Sequence, residues 1–443
     1  MSTTTTNSTD RVLIIGGGIS GLCLAQGLKK HGIPFTVFER DESATSRTQG
    51  FRVRINGEGL AALEASLPDN LLELFHKSNA IFEQGFAFHD PITGEKKMPS
   101  SNHPAAVAEG RKTSEWKQPP ATGEAKLPQQ HQPPTGGNLH RGPSFASDRT
   151  TLRAVLAANL SEDELRYGMS FKTYRLRPDS SGIEVKFENG EVVSGALVVG
   201  ADGTYSRVRK SYLWEETELL DTDGRIIYGK TSLTPELEAV FPPEALRTTS
   251  LATDTDPHMS LFSEPMRFSP ETREFLAANG LEPVDDYLYW AVVARSETFD
   301  RARRPEDQVE QLSPEQLRDL LLRVTEHWSP NLRVAFEQQT LGFGAMLKIA
   351  SMNPKIKPWK PTRATLMGDA IHAMTPAGIG ANVALKDAAV LLKSIVEHGV
   401  SIKAVGVYEE QMREYATHAV TMSFGAGRKM FGQPEVEDMK TIE

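Results

Sequence analysis

Three short turns contain the residue types best suited to binding a ligand. The first contains Gly16, Gly18 and Gly21 at GxGxxG spacing, directly after the apolar run RVLIIG. Glycine at these positions permits a tight turn, lets the backbone approach a pyrophosphate and allows close helix–strand packing. The helix start that follows supplies N–H groups and a favourable dipole to phosphates. The pattern therefore favours a dinucleotide site over a glycine turn without a ligand.

An acidic residue accompanies the glycine turn at the distance a dinucleotide requires. Glu39 ends a second apolar run, PFTVFE, eighteen residues after Gly21. Its carboxylate can accept hydrogen bonds from ribose hydroxyls but would repel a 2′-phosphate, so FAD or NAD is favoured there over NADP. The neighbouring Arg40 is either a second ligand or a solvated surface charge.

Two further turns each place an aspartate after an apolar run. Asp202 lies in VVGADGTYS and Asp369 lies in LMGDAIH, which continues into the loop PAGIGAN from Pro376 to Asn382. Taken alone, either turn is also compatible with an ordinary helix-capping aspartate. Side chains at the carboxyl ends of parallel strands meet at one sheet edge, so a parallel sheet would bring all three turns together.

The elements that must position these turns follow from the apolar periodicity. RVLIIG and PFTVFE are predicted strands on either side of a helix from Ile19 to His31, which makes a strand–helix–strand unit. Further strands are predicted at Ile183–Phe187, Val192–Val199, Arg225–Tyr228 and Tyr287–Ala294. An amphipathic helix is predicted near Pro314–His327, and the last long helices run through Val390 and Tyr408.

The composition bounds the class of protein. The chain has 443 residues with 39% hydrophobic and 24% charged residues, a net charge of −9 and one cysteine, Cys23. These values favour two or three packed units, oppose nucleic-acid binding through the overall charge, and exclude an internal disulfide. No run is apolar enough for a membrane span, so a cytoplasmic protein is expected. Residues 1–10 are predicted to be disordered. Residues 98–141 are predicted to be a flexible insertion, either a solvated loop or a lid.

Taken together and in this order, the three turns resemble the glycine-rich, DG and GD fingerprints of the FAD-dependent group A flavoprotein monooxygenases, the family that includes para-hydroxybenzoate hydroxylase. The resemblance extends from about Arg11 to Ala389 and is weakest in the middle region and the insertion. It implies an α/β fold, in which a Rossmann-like FAD-binding domain carries an inserted mixed-sheet substrate domain and C-terminal helices. The implied division is 11–97, 142–209 and 350–443 for the FAD-binding parts and 210–349 for the substrate domain.

The resemblance also implies roles for matching residues. Glu39 would bind the adenosine ribose, Arg149 would lie along the FAD, and Asp369 would hold the ribityl chain. Asp202 would lie where FAD and the nicotinamide donor approach each other. The flavin-edge loop is one residue shorter than is usual in the family. Its N–H groups would face the pyrimidine edge of the flavin, and the residues concerned are Pro376, Gly380, Ala381 and Asn382.

By the same resemblance, NADH or NADPH would reduce the FAD transiently, and a flavin C4a-hydroperoxide would hydroxylate or epoxidise an aromatic or polyketide-like small molecule. No metal site is expected, and the chain would act as a monomer or homodimer. The alternative is an FAD-dependent dehydrogenase or reductase of the same fold without oxygen transfer. A third hypothesis, a non-catalytic nucleotide-binding protein, is opposed by the acid present in every turn.

Candidate catalytic residues come from less specific signals. Arg54, in GFRVRI, would offset charge on a reduced flavin or an anionic substrate, or would simply pair with a carboxylate. Tyr228 would orient a substrate phenol or pack in the core. Tyr289 and Trp290 are adjacent in a predicted strand and should therefore point to opposite faces. His372 would either tune the flavin or be a buried histidine satisfied by the backbone.

Overall fold

The computed structural model describes residues 10–44, 46, 51–81, 83–98, 144–177, 182–213, 216–307 and 311–442. The predicted tail and the predicted insertion lie outside these residues, except for Asp10 and Met98.

The described helices are α1 (Ile19–Lys30), α2 (Gly57–Ser66), α3 (Asp69–Lys77), α4 (Arg149–Ala157), α5 (Arg207–Tyr212), α6 (Pro235–Glu238), α7 (Pro270–Ala278), α8 (Ser296–Ala302), α9 (Pro314–Val324), α10 (Pro330–Glu337), α11 (Asp369–His372), α12 (Gly380–His398) and α13 (Ile402–Phe431). The first strands are β1 (Val12–Ile15), β2 (Phe35–Phe38), β3 (Arg52–Ile55), β4 (Phe86–His89), β5 (Lys96–Lys97), β6 (Phe145–Asp148), β7 (Leu165–Arg166), β8 (Phe171–Leu176) and β9 (Ile183–Phe187). The remaining strands are β10 (Val192–Gly195), β11 (Leu197–Gly200), β12 (Leu219–Ser232), β13 (Thr249–Thr255), β14 (His258–Met266), β15 (Tyr287–Arg295), β16 (Ala345–Met352), β17 (Ala364–Leu366) and β18 (Lys440–Thr441).

A five-stranded parallel sheet has the strand order β17-β11-β1-β2-β7 and draws its strands from widely separated parts of the chain. Strands β1, β2 and β11 are buried along their whole length, which explains their continuous apolar runs, because a parallel sheet is covered on both faces. Backbone hydrogen bonds join the segments that follow neighbouring strands, as from Ala201 N to Ile15 O (2.7 Å) and from Met367 N to Gly200 O (2.9 Å). The Rossmann-like unit predicted from the sequence is therefore present.

One predicted strand is wrong, because Val192–Val199 forms two strands in different sheets. Strand β10 pairs with β9 in a three-stranded antiparallel sheet, whereas β11 pairs with β1. The chain changes sheets at Gly195, where an added Cβ would lie 2.6 Å from Leu13 Cγ and 2.8 Å from Arg11 O. Only glycine fits at this crossing. The break between the two strands was not predicted, because the apolar run continues across it without a change in periodicity.

The large sheet is mixed, with strand order β16-β12-β15-β14-β13-β4-β5 and with β18 paired to β12. All of its pairs are antiparallel except β13 with β4. Its strands extend beyond 210–349, the range predicted for the substrate domain, because β4 and β5 precede that range and β16 ends after it. The predicted strand Arg225–Tyr228 is the centre of the much longer β12, whose bulge lies between Asp221 and Arg225.

The two faces of the large sheet have different partners. One face packs against α9 and α10 around the fully buried Trp290, whose ring lies 5.1 Å from that of Phe336. Helix α9 is the predicted amphipathic helix, and a capping box of Ser313 and Gln316 determines where it begins. The opposite face is covered at one end by Phe431, the last residue of α13. No helix in the described part of the chain is both long enough and apolar enough to span a membrane.

Candidate functional site

The glycine turn lies between β1 and α1, and two of its glycines pack closely against backbone oxygen atoms. Gly16 has a φ of +113°, and a Cβ there would lie 2.3 Å from Ala201 O. A Cβ on Gly21 would lie 2.2 Å from Gly16 O, whereas the nearest atom to a Cβ on Gly18 would be 4.0 Å away. Gly18 is the N-cap of α1 without a side-chain cap, so the N–H groups of the first turn remain open to an anion. This cradle fits a pyrophosphate.

Glu39 lies at the end of β2, beside this turn, and is 5% exposed. Its Oε2 accepts a hydrogen bond from Gly17 N (2.8 Å) and its Oε1 accepts one from Asp41 N (3.0 Å). Each carboxylate oxygen has a second lone pair with which to accept a ribose hydroxyl. Arg40 is exposed next to it.

Arg153 is a cation at this turn that sequence reasoning missed. Its Nε donates to Gly17 O (3.3 Å) from the middle of α4. The available signal was its position four residues after Arg149, which places both side chains on one face of the helix. A guanidinium group beside the glycine turn adds positive charge where a pyrophosphate would bind.

Asp202 follows β11, and its carboxylate accepts hydrogen bonds from nearby residues of the same chain. It accepts hydrogen bonds from Ser206 Oγ (2.5 Å), from Arg207 N (2.7 Å) and from Val208 N (3.2 Å). Burial raises the pKa of Asp202, and these hydrogen bonds act in the opposite direction. The side chain therefore holds the start of α5 in place, which is the capping role that the sequence left open.

Asp369 and Arg149 lie close enough to interact through space. Asp369 is exposed at the start of α11, after Gly368 with a φ of +60°. Burial lowers the pKa of Arg149, and the charge of Asp369 opposes this. The Nε of Arg149 is buried and has no hydrogen-bond partner among the described residues. An unsatisfied buried guanidinium nitrogen beside an exposed carboxylate fits a polar cofactor chain running between them.

The loop from Pro376 leads into the N-terminus of α12 at Gly380. Ile379 caps this helix without a side-chain hydrogen bond, and Gly380 and Ala381 are partly exposed at its start. The Asn382 side chain binds backbone on both sides, because its Oδ1 accepts from Asn56 N and its Nδ2 donates to Arg54 O, both at 2.9 Å. Asn382 therefore fixes the position of the helix start, and the open N–H groups at that start can face an anionic ligand edge.

His372 is fully buried and belongs to a hydrogen-bond network behind this loop. Its Nε2 and the Gly368 N–H both bind Asp387 Oδ2 at 2.6 Å, and Tyr415 donates its hydroxyl to Asp387 Oδ1, also at 2.6 Å. Burial acts to lower the pKa of His372, but Asp387 outweighs it and the pKa is raised. The ring of His372 is thus paired with a carboxylate. The alternative from the sequence, a buried histidine satisfied by the backbone, named a different partner.

Arg54 forms a buried ion triad. Arg54 Nη2 lies 2.7 Å from Glu264 Oε1, and Arg52 Nη2 lies 2.5 Å from Glu264 Oε2. Glu264 is fully buried on β14 and also accepts from Thr249 Oγ1 (2.8 Å). Of the two roles considered for Arg54, the structure shows the pairing with a carboxylate. The triad joins β3 to the large sheet.

Tyr228 and Tyr289 lie on the face of the large sheet that is turned away from Trp290. Tyr289 is partly exposed, whereas Trp290 is fully buried and donates its indole N–H to Thr231 Oγ1 (3.0 Å), so the prediction of opposite faces is confirmed. Both tyrosines influence the pKa of Arg149. Burial raises the pKa of Tyr289 to about 12, so its phenol is neutral at physiological pH.

Parallel pairing brings the three predicted turns to one edge of the parallel sheet. Two tyrosines of the large sheet, Tyr228 and Tyr289, lie near enough to Arg149 to act on its pKa. The glycine cradle fits a pyrophosphate, Glu39 fits a ribose, and Asp369 with Arg149 fits a polar chain. The donor set is that of a dinucleotide cofactor such as FAD. No group of three or more His, Cys, Asp or Glu residues in the described ranges is arranged to hold a metal ion.

Comparison with known proteins agrees with this geometry. Residues 14–79 match the model of an NAD(P)-binding Rossmann-like domain, and residues 283–422 match the model of an FAD binding domain. A dual O-methyltransferase/FAD-dependent monooxygenase of Cercospora beticola is 33% identical over 96% of this chain and 47% of its own length. A dual O-methyltransferase/FAD-dependent monooxygenase of Phaeosphaeria nodorum is 34% identical over 98% of this chain and 47% of its own length. The chain therefore spans about half the length of these curated relatives.

Solved structures show the same fold. A Photorhabdus luminescens protein assigned as an FAD-containing monooxygenase is 28% identical, with a TM-score of 0.74 over 95% of this chain and 98% of that one. The 2,6-dihydroxypyridine-3-hydroxylase of Arthrobacter nicotinovorans is 15% identical, with a TM-score of 0.67 over 98% of each chain. The second similarity supports the fold alone.

Proposed function

Since the chain belongs to the FAD-dependent monooxygenase family, we propose that it inserts one oxygen atom of O₂ into an aromatic or polyketide-like small molecule. Bound FAD would supply the oxygen-transfer chemistry through a C4a-hydroperoxide, and NADH or NADPH would be the transient electron donor. Hydroxylation is the favoured outcome, with epoxidation as the related alternative.

The observation that carries this proposal is a row of side chains on one face of the large sheet, which we call the floor. Tyr228 is paired with Ala291 on one side and with Ala345 on the other, so small side chains flank it in the same cross-strand row. Phe262 is paired with Ala291 in this row, its ring lies 6.1 Å from that of Tyr289, and the guanidinium of Arg52 lies over it. A planar substrate ring would lie against Tyr228 and the two alanines, near the proposed flavin position.

The protein's own groups would position the reactants and exclude water. Asp369, Tyr228 and Tyr289 all act on the pKa of Arg149, so its guanidinium lies near both the proposed cofactor chain and the proposed substrate face. The open helix start at Gly380 would stabilise negative charge on the pyrimidine edge of a reduced flavin. Asp369 would fix the ribityl chain, and Glu39 the adenosine ribose.

The names of the curated relatives support hydroxylation. Those proteins combine an O-methyltransferase with an FAD-dependent monooxygenase, and this chain matches about half of their length. An O-methyltransferase consumes hydroxyl groups and a hydroxylase produces them, so the two activities are chemically complementary. A reductase without oxygen transfer would supply no new site for methylation.

The first test needs no substrate. The purified protein is reduced anaerobically, mixed with oxygen and followed in a stopped-flow spectrometer. A transient flavin–oxygen adduct before the oxidised flavin returns is expected. Reoxidation without an adduct, repeated with several aromatic ligands present, would favour the dehydrogenase or reductase alternative. A protein that takes up no FAD would contradict both.

A further inference from the structure

Lys230 carries an ammonium group on the same face of the large sheet as Tyr228. Its Nζ lies 4.1 Å from the ring centroid of Phe343 and 5.3 Å from those of Phe51 and Tyr287. Cation–π contacts of this kind attract the ammonium, but they use none of its N–H donors in a hydrogen bond. Within the described ranges the ammonium has neither an ion-pair partner nor a hydrogen-bond acceptor.

The surroundings of Lys230 make it a partly desolvated cation. Burial lowers the pKa of its ammonium, and the carboxylates of Asp148 and Asp285 act in the opposite direction. Asp148 is already engaged, because it caps α4 and accepts a hydrogen bond from Tyr287 Oη (2.9 Å). Lys230 Nζ is not one of the fully buried polar atoms without a partner, so its N–H groups are open to solvent or to a ligand, and an anionic ligand would form charge-assisted hydrogen bonds with them.

Cross-strand register places Lys230 at the edge of the proposed substrate floor. Lys230 pairs directly with Tyr289, so the two side chains are neighbours on one face, and Tyr228 lies two residues away on the same strand. The ionisable groups around it are Asp148, Asp285 and these phenols, together with Tyr287. No other cation of the described residues shares the aromatic cage formed by Phe51, Tyr287 and Phe343.

We propose that Lys230 binds an ionised oxygen of the substrate, a phenolate on an aromatic ring, and thereby sets which ring edge faces the flavin. This inference rests on the proposed function. The rings of the cage would hold the cation in place, and its free N–H groups would point to the phenolate oxygen. An ionised oxygen also enriches the ring carbons ortho and para to it, which favours attack on an electrophilic oxygen donor.

The test is an absorbance titration of 4-nitrophenol, whose phenolate has its own visible band, against the FAD-loaded protein over a range of pH. Hydrogen bonds to charged groups contribute about 1.5–3 kcal/mol, so the wild-type protein should bind the phenolate about 10- to 140-fold tighter than the phenol. Lys230→Met should bind both forms equally, and Lys230→Arg should retain the preference. Lys348→Met, which removes an exposed lysine from β16, is the matched control and should behave as wild type.

Several outcomes would overturn the proposal. One is a phenolate preference that survives in Lys230→Met, and others are a wild-type protein that shows no preference or does not bind 4-nitrophenol. Lys230→Gln serves as a second neutral variant in case methionine disturbs the rings, and it must lose the preference too. The titration measures binding alone, so its failure is distinct from failure of the proposed function. Loss of the flavin–oxygen adduct with the phenolate preference intact would refute only the monooxygenase proposal.

Discussion

The ion triad that joins β3 to the large sheet can be tested by the substitution Glu264→Gln. Glu264 is fully buried, and the side chains of Arg52 and Arg54 are only 10% and 17% exposed. The amide would remove the negative charge and leave two guanidinium groups facing each other in a poorly solvated site. Removing one partner of a buried ion pair costs about 3–5 kcal/mol, so we expect the free energy of unfolding to fall by about that amount at neutral pH.

The pH dependence of the free energy of unfolding provides a second, independent test of this prediction. Burial acts to raise the pKa of Glu264, but Arg52 and Arg54 outweigh it, and the pKa in the folded protein lies below its usual value. The stabilisation is therefore complete above the unfolded pKa of about 4.3 and is lost as the pH falls through the folded pKa. The difference in the free energy of unfolding between wild type and Glu264→Gln should accordingly become smaller as the pH falls below that value.

The assay is urea unfolding of the FAD-loaded protein, followed by tryptophan fluorescence at a fixed excess of FAD. Glu73→Gln is the matched control, because Glu73 forms an exposed pair with Lys77 at 2.6 Å and its loss should leave the unfolding curve unchanged. If Glu264→Gln unfolded like wild type, or if the difference were the same at every pH, the triad would not stabilise the junction as argued.

Two further predictions concern the glycine turn and a second buried carboxylate. Gly21→Ala places a Cβ 2.2 Å from Gly16 O and should weaken FAD binding about tenfold or more in a fluorescence titration, whereas Gly425→Ala, in open space on α13, should not. Burial raises the pKa of Glu409 to about 7, so the folded protein holds an extra proton and loses stability as the pH rises from about 4.5 to 7. Thermal unfolding at about pH 5 and pH 8 should show this loss of stability in wild type and in Glu410→Gln, the exposed control. Glu409→Gln should not show the loss. An equal loss in all three proteins would refute the assignment of the effect to Glu409.

The sequence could predict where the three turns lie because their signals are local. A strand, a glycine turn and a helix lie within a few tens of residues, and parallel pairing of β1 with β2 and β11 then brings Glu39 and Asp202 to the same sheet edge. Asp369 follows from the same rule, since β17 pairs with β11. The break at Gly195 was missed because the apolar run continues across it.

The partners of the buried charges could not be predicted, because they are distant in the chain. Glu264 is 212 residues from Arg52, and no local pattern marks it as a buried carboxylate. Asp387 is closer to His372, at 15 residues, but it lies on another helix whose packing decides the contact. Lys230 had no signal beyond its position two residues after Tyr228, since its aromatic cage gathers rings from three separate segments.

The charges at the junction between the two sheets are balanced, but two of the cations still have hydrogen-bond donors to offer a ligand. The cations of this region lie near an equal number of carboxylates: the cations are Arg52, Arg54, Arg149 and Lys230, and the carboxylates are Glu264, Asp369, Asp148 and Asp285. Arg149 Nε has no hydrogen-bond partner in the described residues, and the ammonium of Lys230 has no directly bonded carboxylate there. An FAD that becomes anionic on reduction and an ionised aromatic substrate would each accept hydrogen bonds from one of these groups. Either ligand should stabilise the junction that Glu264 holds, because a ligand that binds only the folded state stabilises it.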